Sequence, residues 1–230
     1  MLAILYIALL GLCLWVGYKR GLRLTKPLTD HAESVIAGTL DKWGAIVTKE
    51  HARLGAELQD THSSQSCLTP PQIEQRRLLD AAESYFGEAK QGSDLNRRVA
   101  ALGRSQLAYL EYRIFTHGLM AGEFGKAIRA AVEANEQGNK VYPVAAIDKM
   151  RELTASVNRE LEVAKHEYDT AKRGRDAVNH EIGEEFNKTG TNIAAGLQAM
   201  QRAEQPLTEA KAIAKALGLT PECVSPSEKL

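Results

Sequence analysis

Cysteine is scarce. The 230 residues hold three, Cys13, Cys67 and Cys223, too few and too scattered for a disulfide framework, and none belongs to a CxxC pair, which fits a reducing compartment. Net charge is missing as well, with 29 basic and 29 acidic side chains. That balance conceals a split: residues 1–26 carry Lys19, Arg20, Arg23 and Lys26 and no acid, so residues 27–230 hold 25 basic against 29 acidic groups. A nucleic-acid binder leans the other way, and no nucleic-acid partner is expected. Phosphate-binding glycine loops are absent too, both the Walker pattern and GxGxxG, and Ser105 in LGRSQL lacks the flanking glycines of a nucleophile elbow. The sequence therefore predicts no enzyme, no catalytic residue and no cofactor.

What is present first is an uncharged run, Leu2–Tyr18 (LAILYIALLGLCLWVGY), followed at once by the four basic residues. Its length, about 25 Å as a helix, is at the short end of what crosses a bilayer, and Leu22 and Leu24 can extend it while Lys19 and Arg20 snorkel. Trp15 and Tyr18 suit the interface, and Lys19, Arg20, Arg23 and Lys26 suit anionic headgroups. The positive charge follows the apolar run instead of preceding it, and no small-x-small cleavage site closes it, so the reading is a retained anchor rather than a signal peptide. The same asymmetry places the amino terminus outside and the rest in the cytoplasm.

Beyond the anchor every pattern is helical. Pro27 interrupts the helix leaving the membrane, with Thr29 or Asp30 as caps of the next, whose stripe is Ile36, Leu40, Trp43, Val47, Leu54 and Leu58, broken only by Glu50. Thr69-Pro70-Pro71-Gln72 has capping-box spacing with proline at the first helical position, and predicts a helix that carries Ile73, Leu79, Ala82 and Phe86 and stops near Gln91-Gly92. Ser93 or Asp94 caps the following helix, along which Leu95, Val99, Leu102, Leu110 and Ile114 form a stripe. Tyr109, Tyr112 and Phe115, beside Arg113, read as core and rim. Gly118, Gly122 and Gly125 predict a kink or break, and GNKVYP ends the helical stretch that follows them.

The longest regular pattern begins at Ile147. Taking it as position a, the a series is Ile147, Thr154, Leu161, Tyr168, Arg175 and Ile182 and the d series Met150, Val157, Ala164, Ala171 and Val178, a seam for one coiled-coil-like helix ending near Lys188. Arg175 in that seam needs a carboxylate or an exit to solvent. A less regular segment over 193–205, a boundary at Pro206, and a short helix over 207–217 capped by Gly218 complete the chain. One chemical grouping stands out, Glu162 with His166 and Asp176 with His180 and Glu184, at the i, i+4 spacing of helical metal ligands. The register puts His166 and His180 at f and Glu162 and Asp176 at b, facing away from the seam, so no metal site is expected there. His31, His51, His62 and His117 have no spacing that singles them out.

From Tyr142 onward the chain carries Tyr142-Pro143, Glu152-Leu153-Thr154, Asn158-Arg159, Ala164, Tyr168-Asp169, Ala171 and Asn192-Ile193-Ala194-Ala195-Gly196-Leu197. About a quarter of the sequence in this way resembles the LemA family. The Tyr-Pro to Glu-Leu gap is shorter than the family's, the Asn-Arg to Tyr distance is off by one, Arg175 stands where the family has a second tyrosine, and the motif of the first bundle helix is missing. The resemblance implies a bacterial protein with one amino-terminal membrane helix, an antiparallel bundle and no established catalysis.

The sequence thus predicts an all-α protein: a transmembrane helix and basic segment over 1–26, an antiparallel, coiled-coil-like bundle over 27–205, and a short helix and tail over 206–230. Its expected partners are the lipid bilayer and a protein, or a second copy, recognised through the bundle. The competing readings are a metal-binding bundle or enzyme using Glu162, His166, Asp176 and His180, and a structural component of a phage or envelope assembly.

Overall fold

The computed structural model describes the backbone of residues 26–62, 69–92, 94–138, 141–177 and 184–219, and the side chains of 33–56, 69–92, 94–138, 141–175 and 189–219. Its elements are α1 (Lys26–His62), α2 (Pro70–Gln91), α3 (Leu95–Glu136), α4 (Val144–Ala177) and α5 (Glu184–Ala216), with no strand among the described residues. The all-α expectation holds. The apolar run Leu2–Tyr18 and the interface residues Trp15, Tyr18, Lys19, Arg20 and Arg23 lie outside the described residues, and Lys26 is the first residue of α1. Among the described residues, no helix is long and apolar enough to cross a membrane.

The chain divides into two compact units, Met1–Tyr112 with His166–Gly196 and Arg113–Lys165 with Leu197–Leu230. In the first unit, the α1 stripe is buried at Ile36, Leu40, Trp43, Val47 and Leu54, each worth roughly 1.5–3 kcal/mol of apolar burial. Thr29 and Asp30 lie inside α1 and do not cap a new helix. On α2 the Thr69 amide donates to Gln72 Oε1 at 2.8 Å, the reach-back half of the expected capping box, and Pro70 opens the helix. Leu78, Leu79, Ala82 and Ala89 are buried, but Ile73 is 53% exposed. Six residues before Leu79, Ile73 falls about 120° off the buried stripe, which removes it from the expected core face. Gly44 on α1 faces Phe86 on α2, while His51 faces Asp80 and Glu83, so the two helices run antiparallel.

α3 starts where Asp94 Oδ1 accepts from the Arg97 amide at 3.0 Å, and it continues unbroken through Gly118, Gly122 and Gly125 to Glu136. The expected break is therefore corrected. Ala121, Phe124 and Ile128 are buried among those glycines, and that burial outweighs a propensity cost of about 1 kcal/mol per glycine. Nor do the glycines mark a close helix contact, since a Cβ at Gly118 or Gly122 would meet nothing within 4 Å. Gly118→Ala and Gly122→Ala are each expected to stabilise the protein by about 0.5–1 kcal/mol, read as a higher thermal midpoint. A lowered midpoint would show that the helix is not continuous there.

In the second unit Gly138, at φ 68°, turns the chain out of α3 as expected. Asn135 then closes the turn on both sides: its Nδ2 donates to the Tyr142 carbonyl at 3.0 Å and its Oδ1 accepts the Tyr142 amide at 2.6 Å. The heptad register of α4 is visible as burial. Ile147, Met150, Thr154, Val157, Leu161, Ala164 and Ala171 are buried, Tyr168 is half-buried and Arg175 is exposed to solvent. Val178 and Ile182 lie outside the described residues, and the expected end near Lys188 falls instead within α5. α5 is helical over the segment read as irregular and passes through Pro206 to Ala216. Ala203, Leu207 and Ala210 are buried around that proline. The bond it forfeits belongs to the carbonyl of Arg202, an exposed residue that water can serve. Gly218, at φ 67°, ends the helix as expected.

Candidate functional site

Where α1, α2 and α3 meet in the first unit, the buried polar groups form a connected set. Trp43 Nε1 donates to Ser105 Oγ at 2.8 Å, and that hydroxyl donates onward to the main-chain oxygen of Ala82 at 2.6 Å. Ser105 is fully buried, so one hydroxyl links a side chain of α1, its own helix and the backbone of α2. This is a use for Ser105 that nucleophile motifs do not signal. The Trp43 ring meets Tyr109 edge-on at 5.2 Å, and Tyr109 lies 5.9 Å from Tyr112.

The same seam turns polar toward one edge. Glu50, the expected interruption of the α1 stripe, accepts from Tyr109 Oη at 3.3 Å and from Arg53 Nε at 2.8 Å, and Arg53 Nη2 donates to Tyr112 Oη at 3.3 Å. Glu50 is 17% exposed, and its carboxylate is held by a tyrosine and an arginine. Tyr109 and Tyr112 are buried, as the core reading requires. Burial, then the hydrogen bond and charge of Glu111, hold the Tyr168 phenol above its usual range, so it is a neutral hydrogen-bonding group and not a base. In the part of α5 that belongs to this unit, a Cβ added at Gly196 would come within 2.6 Å of Leu110 Cδ2, a contact that accounts for the glycine in Asn192–Leu197.

In the second unit, Arg113 Nη2 donates to Glu204 Oε1 at 2.5 Å and lies 3.4 Å from His117 Nε2, and Arg202 pairs with Glu160 at 2.8 Å. These bonds join α3 to α5 and α5 to α4. Val141 and Val144 flank the buried Tyr142 and are 85% and 65% exposed.

Glu162 and His166, the first pair of the sequence-derived metal grouping, are both exposed, and Glu162 accepts from Lys165 at 3.1 Å. The side chains of Asp176, His180 and Glu184 lie outside the described residues. A different set converges. His51 on α1 has Nε2 3.2 Å from Glu83 Oε2 and 3.8 Å from Asp80 Oδ1, both acids one helical turn apart on α2. Sequence reasoning passes over His51 because its partners lie on the next helix; the only local signal is the i, i+3 spacing of Asp80 and Glu83.

No family model, curated protein or solved structure matches the chain.

Proposed function

We propose that the protein is a membrane-anchored helical-bundle module, LemA-like, that acts without catalysis as an interaction or scaffold element at the bacterial inner membrane. The body is an antiparallel, coiled-coil-like bundle on the cytoplasmic side, and Trp15, Tyr18, Lys19, Arg20, Arg23 and Lys26 meet the bilayer surface. The observation that carries this reading is how the polar side chains between the helices are used: Trp43, Ser105, Glu50 and Tyr109 bond helix to helix. Such bonds fix a surface in place. The uncharged run with its basic flank supplies the attachment, and the exposed Val141 and Val144 offer apolar contact to a partner protein or a second copy.

The test combines extraction, labelling and crosslinking in bacterial cells. The full chain is expected to stay with membranes through alkaline carbonate, and deletion of residues 1–26 to release it. A membrane-impermeant maleimide should reach Cys67 and Cys223 only after the inner membrane is permeabilised, and a photo-crosslinker at Val144 should give a discrete adduct. Carbonate extraction of the full chain, labelling in intact spheroplasts, or no adduct would each refute the corresponding part of the proposal.

A further inference from the structure

We propose that His51, Asp80 and Glu83 bind a single first-row divalent cation, with Zn2+ the best fit, between α1 and α2. This is independent of the membrane reading above. The three donor atoms, His51 Nε2, Asp80 Oδ1 and Glu83 Oε2, all lie within 4.8 Å of one another, with Nε2 at 3.8 Å and 3.2 Å from the two oxygens. Ligands about 2.0–2.1 Å from a tetrahedral ion stand about 3.3 Å apart, so modest side-chain adjustment brings the set onto one centre.

A second observation concerns the imidazole itself. Nε2 of His51 is closed to solvent and makes no hydrogen bond: Asp80 Oδ1, at 3.8 Å, is too far, and Glu83 Oε2, at 3.2 Å, stands in ion-pair range without forming one. A buried polar atom in that state is costly, and donation of its lone pair to a cation removes the cost. The charges agree. The two carboxylates bring two negative charges at i, i+3 on one helix, where like charges repel. A dication neutralises both.

The surroundings hold these donors in position. Arg76 Nε lies 3.8 Å from Asp80 Oδ2, the oxygen that does not face His51. Glu50, the acid next to His51 in sequence, is already engaged by Arg53 and Tyr109. The Trp43–Ser105–Ala82 bonds fix α1 and α2 without any ion, so both ligand-bearing helices are pre-positioned. Asp80 and Glu83 are about half exposed, at 54% and 59%, which leaves an entry path and room for water to complete the coordination. Mixed imidazole and carboxylate donors favour Zn2+, Co2+, Fe2+ or Mn2+ over Mg2+ and Ca2+.

The test uses the full chain, purified without a histidine tag in detergent micelles and titrated with Co2+ under visible absorption. One Co2+ per chain is expected, without a sulfur-to-cobalt charge-transfer band, and Zn2+ should displace it. His51→Ala and Glu83→Gln should each weaken binding at least tenfold, with the far-UV helix signal unchanged, while His166→Ala should leave it as it was. The proposal is overturned if cobalt binds only at millimolar concentration, if a thiolate band assigns the ion to the cysteines, or if His51→Ala and Glu83→Gln bind like the parent.

Discussion

Leu161→Asp is expected to be among the most damaging single substitutions in the chain, while His166→Asp, five residues on, should be nearly silent. Leu161 is 4% exposed at position a of the α4 seam, between Val157 and Ala164, which are fully buried. Removing a buried leucine costs about 2–5 kcal/mol, and a carboxylate in its place must either shed its hydration or take up a proton. Against a typical total of about 5–15 kcal/mol, that loss leaves a marginal or partly unfolded protein. His166 is at f and exposed, and its replacement should change stability by no more than about 0.5 kcal/mol. Chemical unfolding followed by far-UV circular dichroism reads both. A larger loss for His166→Asp would mean that the register of α4 is wrong.

Trp43→Ala is the second large effect, at about 3–5 kcal/mol, because it opens a cavity beside Tyr109 and leaves the Ser105 hydroxyl without its donor. Two milder variants separate packing from bonding. Ser105→Ala leaves the indole N–H buried and unpaired, at about 1–3 kcal/mol, whereas Trp43→Phe keeps a ring and removes the donor. The double variant Trp43→Phe/Ser105→Ala removes both partners, so it should cost less than the two single changes together. Simple additivity in the cycle would show that the 2.8 Å bond contributes nothing of its own.

These two sites differ in how far the sequence discloses them. The α4 seam is legible because a repeat of threes and fours is local, and the buried positions from Ile147 to Ala171 follow it, with Leu153 the one addition beside it. Thr69, Asp94, Gly138 and Gly218 are legible for the same reason, since a cap or a turn is set by the residues next to it. Gly118, Gly122 and Pro206 mislead because a propensity cost of about 1 kcal/mol for a glycine or about 3 kcal/mol for a proline is overridden by buried neighbours such as Phe124 and Leu207. Ser105 with Trp43, and His51 with Asp80 and Glu83, are not legible at all. Which helix faces which is decided by packing across the whole unit, and no spacing within one helix records it.

The chain has two tryptophans, Trp15 in the leading apolar run and Trp43 at the junction of α1, α2 and α3. Replacing Trp15 by phenylalanine would leave one indole, dry, hydrogen-bonded and set edge-on against a tyrosine. Its fluorescence would then register whether those three helices are together, separately from the helix content of the chain as a whole. Nature has in effect installed an optical gauge at the joint.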